Sequence, residues 1–436
     1  MLNRYRNVLI FSLTILPLVL YITLVSTFSI NIPIGDDYDV FLGYLNQSSD
    51  ERLHALFAQH NEHRLVFNRL IAELIYQTFN QIDFRLLILI GNISLVGIFY
   101  MLYCLFSNTN IATKFFIPIP YFLFFSPLWG NETWATASLQ HYSVILFSLS
   151  SLFLFNKKEY FPFFCAFLFA IAAAYTSGSG LFIFVVLILW SGMNAFFPQP
   201  KQSEKAAASL SHKNDGYIKF LLTSSVTAIV FYFYFLNYIS PSHHPSVISA
   251  LRNPLQSLQY FFTFMGSFLP FTTDLLALAC GLTTTTFFIY LTYKKYYYKN
   301  SIVYFFMVFL ILNALAAMIS RSGFGVDQAL SSKYAIFSVL ILISLYIASL
   351  ESSKLTHHLT AKTQYVFLIT LFIMSIFSHN KHFEKLSTKW SKLQVGVSIW
   401  REYKVGLNYP DQIRATSLIK DAARLGYYQL PKLSRK

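Results

Sequence analysis

Apolar residues in this chain gather in long charge-free runs, not in the alternating or one-sided stripes of a soluble fold. The first, Val8–Ile30, is 23 residues long, more than the ~20 a helix needs to cross a bilayer. Similar runs lie at 84–106, 115–129, 139–155, 160–177, 180–197, 218–239, 273–293, 302–320, 334–350 and 364–378. The pattern predicts an all-α polytopic membrane protein of about 11 transmembrane helical spans. Ser257–Phe271 is aromatic but short, ends beyond Pro270 and precedes Asp274, so it is expected to be re-entrant or interfacial.

Composition agrees. Of 436 residues 55% are hydrophobic and only 12% charged, with a mean hydropathy of +0.50, more apolar surface than a soluble domain can hide. This excludes a soluble enzyme, a disordered chain and a disulfide scaffold. Cys104, Cys165 and Cys280 all lie in apolar runs without metal-ligand spacing. No glycine-rich phosphate loop, nucleophile elbow or HExxH is present.

Val8–Ile30 follows Arg4 and Arg6 and lacks a small-x-small exit, so it is expected to be an uncleaved span with a cytoplasmic start. The cytoplasmic segments then hold 13 Lys and Arg, against Arg252, Arg321 and Lys333 in the outer loops after the first. On this reading residues 1–378 form the transmembrane domain, 29–83 is its first outer loop and 198–217 a cytoplasmic loop. Residues 379–436 form a short basic C-terminal tail, with 12 basic and 4 acidic residues, on the extracytoplasmic side. The pI of about 9.4 implies contact with anionic lipid of the bilayer and no nucleic acid.

Eight of the 19 acidic residues fall between Asn31 and Asp83. Gly35-Asp36-Asp37-Tyr38-Asp39 sets three carboxylates within four residues, which suits proton abstraction or cation binding, or, more plainly, helix capping and turns. Ser48 with Glu51 fits a capping box opening a helix. On that helix His60, His63, Arg64 and Phe67 would share one face, and Glu62, Arg69 and Glu73 another; a solvated amphipathic helix is the plain alternative. Trp129 and Trp134 fit interface anchors, or, with Asn131, Glu132, Gln140 and His141, a sugar-binding platform. The turn Thr176–Gly180 lies on the same side. Arg321 and Lys333 flank a glycine-bearing outer loop, as cations that anchor to headgroups or grip a phosphate.

These motifs, with the many spans and the acidic first loop, resemble the GT-C superfamily of glycosyltransferases that use lipid-linked sugars. Gln59–Arg64, Gly130–Trp134, Arg321–Gly325 and Lys333-Tyr334 are also similar to a group of bacterial membrane proteins of this type. The resemblance implies GT-C-like architecture with a juxtamembrane helix in the first outer loop, in a bacterial cytoplasmic membrane. It implies a polyprenyl-phosphate-linked sugar donor and a glycan, lipid or protein acceptor. It also implies that Asp36 or Asp37 is the catalytic base or a ligand for a divalent cation, Mg or Mn. Arg321 and Lys333 would hold the carrier phosphate, and His60, His63 and Arg64 would line the sugar or acceptor together with Asp39, Glu62, Asn131, Glu132, Trp134, Gln140 and His141. A transporter or flippase of lipid-linked glycans and an O-antigen-type polymerase are the rival classes. The first should bury ionisable groups at mid-span, and the second should carry a large arginine-bearing central loop.

Overall fold

The computed structural model describes residues 2–124, 127–197, 206–241, 247–269, 273–352 and 361–432, and these are helical without a strand. Eight helices among them are long and apolar enough to cross a membrane, which makes the chain a multi-pass helical membrane protein. They lie in α1 (Leu2–Phe28), α4 (Phe84–Ser107), α7 (Ala135–Phe155), α9 (Phe182–Phe196) taken together with the preceding turn from Gly178, α10 (Ala206–Phe235, its span from Asp215), α13 (Asp274–Tyr293), α14 (Ser301–Arg321) with the turn that follows it to Phe324, and α15 (Ala335–Ser352). Two further expected spans are shorter apolar helices, Thr113–Phe124, which ends in α5 (Pro118–Phe124), and α8 (Tyr160–Ala174). The expected span 364–378 falls within α16 (Ala361–Tyr403).

α12 (Pro254–Met265) has 12 residues. At 1.5 Å each it reaches ~18 Å, short of the ~30 Å hydrocarbon core, and it packs on α13. The expected cytoplasmic loop 198–217 is revised in part. From Ala206 onward the backbone is already α10, while 198–205 lie outside the described residues.

α4 packs on α7, α7 on α8, α9 on α10 and α14 on α15. α7 and α15 are the most enclosed spans, whereas α1, α10 and α13 turn most of their surface outward. The enclosed α7 carries Thr136, Ser138, Ser143, Ser148 and Ser151, small polar residues that let helices approach closely. Ser143 meets Ser94 of α4 at 2.8 Å.

The loop before α4 is itself folded. A widened helical turn, Tyr38–Gly43, buries Tyr38, Val40, Phe41 and Leu42, followed by α2 (Ser49–Phe57) and α3 (Val66–Phe79). The C-terminal segment closes over it: Gly35 N donates to Asn408 O (2.8 Å), Ile82 N to Tyr427 O (3.0 Å) and Tyr428 OH to Asn31 O (3.0 Å). Together with α17 (Gln412–Arg424) it lies on the same side of the bundle as the loop.

Candidate active site

The capping box is present: the Glu51 carboxylate accepts from Ser48 Oγ at 2.9 Å and Ser48 N at 3.4 Å. The helix it opens does not run on to Phe67, as the sequence reading expects. α2 stops at Phe57 because its final carbonyls are taken by side chains. Arg64 Nη1 donates to Phe57 O (2.6 Å), and Arg69 Nη1 donates to Leu56 O (3.0 Å) and Ala58 O (2.6 Å). His60–His63 then forms a tight turn, closed by His60 N to His63 O (2.8 Å) and His63 N to His60 O (2.9 Å), with Asn61 left-handed at φ 50°. The turn aims both imidazoles the same way, a convergence the helix would also have given, by a different route.

What they face is a cavity of about 590 Å³. Asp36, His60, Glu62, His63, Gln140, His141, Arg321 and Lys333 contribute its polar lining, with Ser177, Gly178 and Ser179 of the glycine turn. Leu181, Phe182, Val185, Phe231, Ala317 and Phe337 give it apolar walls. Polar islands hundreds of residues apart therefore meet around one space.

Within it, His60 Nε2 stands 3.3 Å from Asp36 Oδ1. Arg321 pairs with Glu62, and His63 Nε2 lies 3.6 Å from the same Glu62 oxygen. Gly178 N donates to His63 Nδ1 at 3.1 Å, so neutral His63 carries its proton on Nε2 and points it at Glu62. A Cβ on Gly178 would sit 3.0 Å from Glu62 O and from the Tyr234 hydroxyl, so a side chain there would press the histidine turn outward. Gln140 Nε2 donates to Ser177 Oγ (3.2 Å).

Burial would raise the Asp36 carboxyl, but the contact with His60 and the charges of His60, Lys333 and His63 outweigh it and hold the group below its ordinary 3.8. Burial lowers His63, which keeps it neutral at pH 7, and lowers Lys333 despite the attraction of Asp36. The Lys333 ammonium lies 4.3 Å from the centre of the Trp134 ring.

Six expected site residues do not line this cavity. Asp37 is buried, its Oδ1 accepting from Thr136 N (2.7 Å) and Oγ1 (2.6 Å) and its Oδ2 from Ile34 N (2.9 Å). It braces the loop against the start of α7, behind the wall that Asp36 lines. Asp39 faces the C-terminal segment, held by Arg414 at 2.6 Å and by Tyr409 OH. Arg64 ties the loop to the end of α10 through Tyr234 O (2.8 Å) and Leu236 O (2.6 Å). Asn131 donates to Lys333 O (2.9 Å) and Trp134 underlies the Lys333 ammonium, so these two position that cation from behind. Glu132 is fully buried in the helical turn α6 (Trp129–Glu132), 3.1 Å from His382 of α16. The sugar platform expected at Trp129–Trp134 is thus a supporting layer.

Sequence reasoning missed Tyr234, Tyr238, Asn313, Ser320 and Gln328, all on the cavity wall. Asn313 carried a signal, being a lone amide in a charge-free run; the tyrosines were lost among 29 of their kind. His382 and Lys389 were also missed, hidden in what reads as a basic tail. Burial pushes the Lys389 ammonium down to about 8 although Asp37 and Glu132 attract it.

No family model, curated protein or solved structure matches the chain.

Proposed function

We propose that this chain is a GT-C-type membrane glycosyltransferase that moves a sugar from a polyprenyl-phosphate carrier to a glycan, lipid or protein acceptor of the cell envelope, on the outer face of a bacterial cytoplasmic membrane. The observation that carries the reading is one cavity lined by two carboxylates, Asp36 and Glu62, and two cations, Arg321 and Lys333, together with apolar walls. A lipid-linked sugar phosphate likewise joins polar and apolar parts.

Asp36 is ionised at neutral pH, the form a base needs. It takes the proton of an acceptor hydroxyl as that oxygen bonds to the anomeric carbon. The bond from that carbon to the carrier phosphate breaks, and the phosphate leaves with the electron pair. Lys333 and Arg321 neutralise it, so no separate acid is required. His63, Gln140 and His141 offer hydrogen bonds to the sugar. No step passes through a metal.

A carrier of lipid-linked glycans is the second reading. One observation bears on it: Glu132 and His382 are ionisable groups paired out of contact with solvent, though at the outer end of the bundle and not at the mid-span position of coupled transport. Comparing surface glycans of a deletion strain and its parent by mass separates the two. Transfer predicts the loss of one sugar-sized increment. An unchanged glycan mass, with lipid-linked glycan held back inside, overturns transfer in favour of the carrier.

A further inference from the structure

A second cavity, of about 830 Å³, lies between α9, α10, α13 and α14, and its lining is almost wholly apolar. Two of these helices, α9 and α14, also line the charged cavity, each with the same face. On α9 that face runs from Val185 to Leu189, Gly192 and Phe196, spaced four, three and four residues apart as one side of a helix requires. On α14 it runs from Ser320 back through Ala316, Leu312, Val308 and Phe305, again at four, four, four and three. The two cavities therefore follow one another along a single α9–α14 seam. Small residues at Gly192, Ala316 and Ala317 leave room in it, and Leu189 and Phe196 are half exposed at its edge.

Length identifies the occupant. Tyr304 in the far cavity lies 17 residues before Arg321 in the near one, ~26 Å along the helix at 1.5 Å per residue. One leaflet supplies only half of the ~30 Å hydrocarbon core. A phospholipid whose phosphate sits at Arg321 ends its chains near the midplane, whereas the seam continues well past it. We infer that the α9–α14 seam is the binding groove for the single long hydrocarbon chain of a prenyl phosphate, whose phosphate sits between Arg321 and Lys333. This rests on the reading of the charged cavity as a lipid-phosphate site, and adds that the protein selects its ligand by chain length.

The test measures binding of a C15 and a C55 prenyl phosphate to the full-length protein in lipid nanodiscs. Val308→Trp fills the seam beyond the reach of the short chain. It should weaken the C55 ligand at least ten-fold and leave the C15 ligand within two-fold, which also certifies that the variant is folded. Ile188→Trp, entering from the opposite wall, should do the same and replaces Val308→Trp if that variant does not fold. Lys333→Gln should weaken both ligands. If Lys333→Gln weakens both but neither tryptophan separates long from short, the seam is not the groove and the phosphate reading stands. Displacement of the C55 ligand by equimolar phosphatidylglycerol overturns the inference in favour of an ordinary phospholipid. If Lys333→Gln weakens neither, the phosphate reading fails and the inference with it.

Discussion

Asp36 and Asp37 are adjacent in the chain and opposite in environment. Asp36 keeps 43% of its side chain exposed in the cavity, with one imidazole at 3.3 Å, and its carboxyl is held below the usual range. Asp37 is 1% exposed, accepts three hydrogen bonds, and burial pushes its carboxyl up to about 7. Gly35 makes the difference possible. Its φ of +52° turns the backbone, and a Cβ there would come within 2.8 Å of the Trp134 ring. Glu62 and Glu132 divide in the same way, one on the cavity wall and one sealed against His382. Around the site, charges on the wall are available for chemistry, and those behind it hold the wall in place.

The largest effect should separate the two aspartates by rate. Asp36→Asn removes the only carboxylate of the acidic motif that faces the cavity among the described residues. Transfer should fall ~10²–10⁴-fold, the range for loss of a positioned base, with only a small drop in the thermal midpoint. The check is a transfer assay on purified protein in detergent, alongside an unfolding scan of the same sample. Full transfer by Asp36→Asn would break the comparison at its base and return the catalytic role to a group outside this cavity.

A smaller effect sharpens the comparison from the other side. Asp37→Asn keeps an oxygen for Thr136 but turns an NH₂ toward the Ile34 N–H, leaving a buried donor unmatched at a cost of ~1–3 kcal/mol. The pH dependence carries a sign. The native Asp37 carboxyl binds a proton up to about pH 7, whereas an unfolded one releases it near its ordinary 3.8. Between those values the folded state holds more protons, so this group's contribution to stability falls as pH rises from about 4 to about 7 and is level above. Asp36, lowered, acts in the opposite sense: its contribution is complete above about pH 4 and is lost only as pH falls below that. Unfolding midpoints between pH 4 and 8 should therefore show a larger deficit for Asp37→Asn at pH 5 than at pH 8. Parallel curves for variant and parent would mean that Asp37 stays ionised in its burial.

Much of the bundle was legible because its signal is local. A charge-free run reports a span by itself, and the runs behind α1, α4, α7, α9, α10, α13, α14 and α15 all did so. The start of α2 was legible for the same reason, since Ser48 and Glu51 are three residues apart. Its end was not, because the groups that close it, Arg64 and Arg69, fold back from beyond a turn whose only mark is Asn61. The cavity was legible as an inventory of polar islands and illegible as a geometry. Nothing in Gly130–Trp134 says that Glu132 turns inward to a histidine 250 residues later, or that Trp134 serves Lys333. Tail and loop are likewise joined by pairs such as Asp39–Arg414 that no spacing encodes.

That last pair supports the smallest prediction and bears on how firmly the wall is held. Asp39 receives Arg414 Nη2 at 2.6 Å and Nε at 2.7 Å, with Tyr409 OH on its other oxygen. The geometry is good, but the Arg414 side chain is 57% exposed, so water and salt screen the pair to about 0.5–1 kcal/mol. Arg414→Ala should lower the unfolding midpoint slightly, and less at high salt than at low. Its effect on transfer distinguishes a strut from a surface contact. The same segment receives Gly35 N through Asn408 O, one residue from Asp36, so loosening it should blur the position of the proposed base and lower kcat a few-fold without raising KM for the proposed donor, whose phosphate that reading assigns to Arg321 and Lys333. A change confined to KM would assign the C-terminal segment to substrate binding, and place Asp39 with the wall after all.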